Sequence, residues 1–502
     1  MTSAPRSAFL ALPTELLVPI LSYLNVQDVW AVRKTCRALY AMSKLKCVWI
    51  ARVRHMCATN DVFIPTFDLP SMSVAALERA ATAPQRFFRL IKASGGSKLY
   101  PVRRGMLSLA QDGNAVPGFD SFRQIRLVPG GRFLLARTKT EFQIWDLEMP
   151  AGRPGVLYSA SLKDLLDVPE AALTHINMED CYRGSEESSL RVVFTQCCDR
   201  ERFWRFLLVQ VDFARQKTGL DAHERSSLEV DVQTVAQLSP LIPLDSRPYI
   251  GGAIHSFVTI RTDVDIIVWN PAEDTVSYWR TDPLLERTLR AVHLTREHAF
   301  CSYRDIVTVS SIPPFLDAHS NESWTPTSTH PYEITLNLRS ENCAWLTPRT
   351  WHTTLKDLST AHEESPMTHA FDRFAGSSGL SRYAVGPSAT VETSHNDRSA
   401  PTVRDRWQDS NICFDYTCAW MPVRGFSVGE GFSEGAVCPC VRAPWGFNVG
   451  LLAYGGSPAG SVEVKLDGVE SFDGWDICPA SARVVCIDRR QPHFVAVYEF
   501  LA

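Results

Sequence analysis

At 502 residues the chain is long for a single domain and suits a small module joined to a large one. Apolar residues make up 45% and charged residues 21%, with a formal net charge of −4, which excludes a disordered or fibrous chain. No run approaches the roughly eighteen apolar residues of a membrane helix, so no membrane span is expected.

The charge is unevenly divided: residues 1–104 hold 15 Lys and Arg against 5 Asp and Glu, and the remainder holds 36 against 50. A negative large domain argues against a duplex-binding platform, and no nucleic-acid partner is expected. Residues 1–8 read as a short tail, because one arginine and a brief apolar patch from Ala8 make too weak a secretory signal. The fourteen cysteines include no CxxC pair and no Cys/His spacing for zinc. They are expected to be reduced thiols in a cytoplasmic or nuclear protein.

The helical elements begin at Leu12. Pro13 and Glu15 suit the start of a helix, where proline loses nothing and a carboxylate meets the positive end of the dipole. Leu16, Leu17, Ile20, Leu21 and Leu24 follow at helical spacing and give a wide apolar stripe. Pro19 falls inside that pattern and is expected to kink the helix or shift its start. Asn25 and Asp28 can cap a second helix with Val29, Val32 and Cys36 on one face; Leu39 and Met42 continue a third, and Trp49, Ile50 and Val53 begin a fourth. Helices this short cannot bury stripes of such width among themselves, so part of the apolar surface belongs to a partner.

The order Leu-Pro-x-Glu-Leu, a polar turn, a basic-Cys-Arg corner and a Trp resembles an F-box over residues 9–58. The resemblance implies a module that holds the Skp-type adaptor of a cullin ubiquitin ligase while the rest of the chain holds a protein substrate. It places Leu12, Pro13, Leu16, Ile20, Leu24, Val32 and Trp49 against the adaptor. Val29, Cys36 and Leu39 are left to hold the module together.

Residues 59–104 read as a helical spacer. Pro65 and Pro70 mark a loop, Ser73 opens a helix with Val74, Leu77 and Ala81 on one face, and Pro84 is expected to interrupt it. Phe87, Phe88 and Ile91 form a second face, and Gly95 and Gly96 stop it.

Residues 105–502 change to short β-rich runs between Gly, Pro, Asp and Asn. Strands are expected at 133–138, 142–146, 191–196, 206–211, 257–261, 266–269, 306–309, 484–487 and 494–500. Ile125–Leu147 resembles one WD-repeat blade, and Ser256–Asn270 repeats its second half, aligning Trp269 with Trp145. Their separation of 124 residues is close to three periods of about 41. The fold class expected is a small all-α front followed by a large all-β domain, a β-propeller of seven or eight blades, with residues near Gly105–Leu109 pairing with the final blade. Residues 313–331, 358–370 and 386–411 look like extended loops.

Motifs for chemistry are missing. No GxSxG, GxxxxGK[ST], HExxH or EF-hand loop occurs. Gly450, Gly455, Gly456 and Gly460 read as a hairpin turn, His293 and His298 as exposed loop residues, and Trp407, Trp420, Trp445 and Trp475 as strand packing. No catalytic residue, metal ligand or cofactor is expected, and the substrate-binding residues are not assignable. The leading expectation is a non-catalytic substrate receptor reaching a cullin through the adaptor. A propeller enzyme, or a scaffold outside ubiquitin transfer, stands as the alternative.

Overall fold

The computed structural model describes residues 12–24, 26–59, 62–94, 98–109, 121–148, 154–184, 186–199, 203–215, 228–239, 248–254, 257–262, 264–280, 291–294, 298–302, 306–318, 334–337, 369–375, 379–385, 391–394, 425–426, 435–442, 446–453, 461–464, 466, 472–478 and 480–501. Helices α1 (Thr14–Tyr23), α2 (Val26–Arg33), α3 (Arg37–Met42) and α4 (Lys46–Thr59) open the chain, and α5 (Val74–Ala93) follows. Asn25 and Gly95–Gly96 lie outside the described residues.

Of the three prolines in the front helices, Pro84 departs from expectation. Pro13 is the N-cap of α1, its carbonyl accepting from Leu16 and Leu17, and Pro19 sits within a helix that runs on to Tyr23. Pro19 and Glu15 are both exposed, so the carbonyl of Glu15, deprived of its helical donor, meets water. Pro84 does not interrupt α5, which continues through it for 20 residues. Packing at both ends of α5 outweighs the local cost of a helix-interior proline, about 3 kcal/mol.

The β region begins with β1 (Arg103–Ser108), two residues before the expected start of the large domain. Seven antiparallel sheets are present among the described residues. The first runs β2 (Gln124–Leu127), β3 (Phe133–Arg137), β4 (Glu141–Asp146) and β5 (Gly155–Ser161). A short helix α6 (Leu162–Leu166) leads to β6 (Ile176–Arg183), β7 (Ser189–Asp199), β8 (Phe203–Arg215) and β9 (Leu228–Leu238). The third sheet holds β10 (Tyr249–Ile254), β11 (Phe257–Arg261), β12 (Asp265–Asn270), β13 (Thr275–Arg280) and the two-residue β17 (Leu316–Asp317). The fourth holds β14 (Ala291–Leu294), β15 (His298–Ser302), β16 (Ile306–Ser311) and β18 (Ile334–Asn337). The fifth is β19 (His369–Ala375), β20 (Gly379–Val385) and β21 (Val391–Ser394). The sixth is β22 (Gly425–Phe426), β23 (Gly435–Arg442), β24 (Gly446–Ala453) and β25 (Ser461–Val464). The last is β26 (Phe472–Cys478), β27 (Arg483–Asp488) and β28 (Phe494–Glu499), with β1 as its outer strand.

Consecutive meanders whose first strands lie side by side, β26 beside β2, β2 beside β6, β6 beside β10 and β10 beside β14, make a β-propeller. The two ends of the β region meet in one sheet, where Gly105 faces Val497 and Leu107 faces Val495. All nine expected strands are strands here, within a few residues at their ends.

Several expectations are corrected. Trp145 and Trp269 both sit on the third strand of a sheet, so the repeat is real, but one sheet lies between them rather than two. The long strands β7, β8 and β9, of 11, 13 and 11 residues, stretch that sheet beyond the ordinary period. His293 and His298 lie on β14 and β15, not in loops, and Gly450 lies within β24. Short strands also begin or sit in the three expected loops, at Leu316–Asp317, from His369 and at Val391–Ser394. Gly455, Gly456, Gly460, Trp407, Trp420 and Trp445 lie outside the described residues, while Trp475 is buried on β26 in the core.

The helical front is docked on the propeller at two places. Leu77 and Ala81 of α5 join the core of α2 and α4, whereas Phe87 and Ile91 join the closing sheet with Tyr498 and Phe500. Between α4 and α5, Phe63 enters the first two sheets, with its ring centroid 5.1 Å from that of Phe213. The Phe63 N–H donates to Pro129 O at 2.8 Å, and the Thr66 hydroxyl to the same oxygen at 3.3 Å. Both contacts fall on the β2–β3 turn, where Gly130 adopts φ +113° and a Cβ would collide with the Thr66 side chain. Thr66 O in turn accepts from Arg132, whose guanidinium forms a bidentate pair with Asp146 at 3.0 and 2.7 Å.

Candidate functional site

Helix α1 divides its apolar side chains between two sides. Leu17 and Leu21 are buried, while Leu16, Ile20 and Tyr23 are 53%, 37% and 88% exposed. The exposed three are spaced by four and three residues and therefore share one face. Pro13 and Pro19 are exposed beside them and Leu12 is half-buried. Nearby on and after α3, Tyr40 and Leu45 are also exposed large hydrophobics, so five of the eleven found among the described residues lie between Leu16 and Leu45. An apolar concentration of this kind on a short segment marks a surface that another protein covers.

The face is held from behind. Arg52 of α4 is buried and donates to the carbonyls of Ser22 and Leu24, which otherwise lack partners at the end of α1. Burial pulls the Arg52 guanidinium below its ordinary pKa. Trp30 Nε1 and the Arg33 guanidinium both donate to Glu78 of α5, at 2.8, 3.0 and 3.2 Å. Arg33 also donates to Ser43 and lies 5.4 Å from the centre of the Trp49 ring. These contacts fasten α2, α3, α4 and α5 into one unit.

The structure brings together Pro13, Leu16 and Ile20, with Leu12 at the margin. Leu24 and Val32 are half-buried, and Leu24 packs against the core of the module. Trp49 is placed elsewhere: it is fully buried, its Nε1 donating to Ser43 O at 2.8 Å. A side chain walled in by α2 and α5 cannot meet a partner directly, and Trp49 belongs with the packing residues. Of the residues expected to hold the module, Val29 and Leu39 are buried and Cys36 is half-buried. Tyr23 and Tyr40 were not anticipated. Tyr23 follows Leu16 by seven residues and was available from the same helical spacing.

The surroundings are basic. Lys34, Arg37 and Lys44 are exposed, and the Lys44 ammonium lies 4.3 Å from the centre of the Tyr40 ring. The hydrogen bond to Lys44 and its charge hold the Tyr40 phenol below its ordinary pKa. Greasy side chains beside these cations, and beside the exposed carboxylates of Glu15 and Asp28, suit a partner surface that is apolar at its centre and charged at its border. Among the described residues no group of three or more His, Cys, Asp or Glu could hold a metal ion, and no helix is long and apolar enough to cross a membrane.

Residues 9–55 match the F-box-like family model. No curated protein matches the chain. Among solved structures the chain is similar to the β-propeller domain of Cps50 (Swd1) from Myceliophteria thermophila, at 11% identity and TM-score 0.39, covering 79% of this chain and 99% of that one. It is similar to the WD40 domain of Neurospora crassa Pan2, at 8% identity and TM-score 0.35, covering 81% and 95%. The fission yeast SCAP WD40 domain gives 9% identity and TM-score 0.32, covering 76% and 84%. These likenesses are weak, and the propeller stands on its own strand pairing.

Proposed function

From an F-box-like module at residues 9–55 and a propeller docked behind it, we propose that the chain is a non-catalytic substrate receptor of a Skp–cullin–F-box ubiquitin ligase, acting in the cytoplasm or nucleus. The observation that carries the reading is the outward face of Leu16, Ile20 and Tyr23 on a helix whose opposite side is already packed. The Skp-type adaptor covers that face and links the chain to the cullin; the propeller takes a protein target. The two docking contacts, Phe63–Thr66 on the β2–β3 turn and α5 on the closing sheet, fix the distance between adaptor and target. A fixed distance matters because the reaction depends on holding the target within reach of an activated ubiquitin carried by another subunit.

The test is capture of purified Skp-type adaptor and cullin by the full chain, compared with the triple variant Leu16→Ala, Ile20→Ala, Tyr23→Ala. Capture of both by the wild type, and loss of the adaptor by at least tenfold in the variant, is the expected result. Equal capture by both chains removes α1 as the docking face. Adaptor binding without the cullin leaves a scaffold rather than a ligase subunit.

A further inference from the structure

From Arg79 to Arg104 the chain holds seven Lys and Arg and no Asp or Glu. At the far end of this strip Tyr100, Val102 and Met106 are 55%, 64% and 46% exposed, around the exposed Arg103 and Arg104. Among the described residues the other exposed large hydrophobics of the propeller, Val156, Val235 and Leu316, stand on three different strands. Strand β1 is also the outer strand of its sheet. The Leu109 N–H donates to His493 O at 3.3 Å, and antiparallel alternation then turns the amides of Arg103, Gly105 and Leu107 toward β28. Those of Arg104 and Met106 face away from the sheet.

Edge strands are commonly kept from pairing by charge, and two arginines alone would do that. Exposed Met106 on the same strand, with exposed Tyr100 and Val102 just before it, does the opposite. The combination is selective: it repels a basic or neutral strand and accepts one that brings carboxylates and apolar groups together. The existing partners of the arginines leave them at the surface, since Arg103 lies 4.0 Å from Glu499 and Arg104 stands 5.7 Å from the centre of the Tyr498 ring.

We infer that the outer edge of β1 binds an extended acidic peptide, alternating carboxylates with apolar side chains, which joins the closing sheet as an added strand. Its backbone pairs with the outward groups of Arg104 and Met106; on one face of the strand its carboxylates meet Arg103, and on the other its apolar side chains cover Met106 and the stem of Arg104, which lie together there. A lipid surface would answer the charges but leave the row of amides unused, and a nucleic acid would leave the apolar side chains uncovered. The inference does not depend on the adaptor reading.

The probe is a fluorescein-labelled octapeptide of alternating Glu and Val, titrated with the full chain by anisotropy at low salt. Saturable binding is expected, weakened at least tenfold by Arg103→Glu with Arg104→Glu. A peptide of the same sequence with alternate amides N-methylated keeps every side chain but cannot pair as a strand, and is also expected to bind at least tenfold more weakly. Met106→Pro removes an outward amide without touching the β1–β28 ladder and gives the same loss from the protein side. Absence of saturable binding overturns the inference, as does equal binding of the N-methylated peptide, which reduces the site to charge alone. Phosphatidylserine vesicles that bind the chain and are not displaced by the peptide assign the strip to a membrane surface and overturn it as well.

Discussion

Helices α1 and α5 each carry a proline in mid-course, yet α1 leaves Leu16, Ile20 and Tyr23 to solvent while α5 commits its apolar side chains to two separate cores. The proline is on the exposed side of α1 and buried in α5. Local sequence therefore does not decide what a helix here is for. The decision comes from what lies opposite it: α1 has the module on one side and nothing described on the other, whereas α5 is held between the module and the closing sheet. An apolar stripe is an interface where it has one neighbour and a splint where it has two.

Four measurements test this contrast. Phe87 is buried against Phe500, and Phe87→Ala is expected to cost about 3–5 kcal/mol in unfolding free energy, read from urea denaturation. A cost near that of a surface substitution would show that α5 does not support the closing sheet. Glu78→Ala leaves Arg33 and Trp30 without their shared acceptor and is expected to cost about 2 kcal/mol. Limited proteolysis of that variant should cut between α4 and α5 before it cuts the propeller.

The third measurement concerns the layer beneath α5. Burial, with the charge of Asp488 in support, pushes the Cys486 thiol up to about 12. The folded value lies above the unfolded one, so this contribution is complete below the ordinary thiol pKa and is lost as pH rises toward 12. Unfolding free energy should fall by up to about 1.4 kcal/mol per pH unit above roughly pH 9 from this group, and Cys486→Ala should remove that part of the slope. The smallest effect is on α1, where Leu16→Ala should change stability by less than about 0.5 kcal/mol. A larger loss would mean that Leu16 is a packing residue and the open face is misassigned.

Much of this could be read from residue order, and the remainder depended on contacts between distant segments. The strands were legible because short β-branched runs alternate with turn residues, and Gly105 and Leu107 were placed against the last sheet because a ring of meanders must close. The spacing of Trp145 and Trp269 misled, since strand length in the sheet between them is set by packing against its neighbours. On α1 the stripe was visible, but which half faced outward was not: Leu16 and Leu17 are adjacent and alike, and only α4 distinguishes them. Trp49 was set against the adaptor by the F-box resemblance alone, and it is fully buried. Its true neighbours, Arg33 and Ser43, are joined to α5 through Glu78, 45 residues from Arg33, a partnership that no local spacing announces.

The sharing of one sheet by both ends of the β region has a consequence for synthesis. Strand β1 leaves the ribosome almost four hundred residues ahead of β28, the partner that completes it. Until the final segment emerges, β26 and β27 have not been made and the early strand has no ladder to enter, while the front helices already exist. Premature termination would thus release a protein with its front helices made and its propeller left open at the closing sheet.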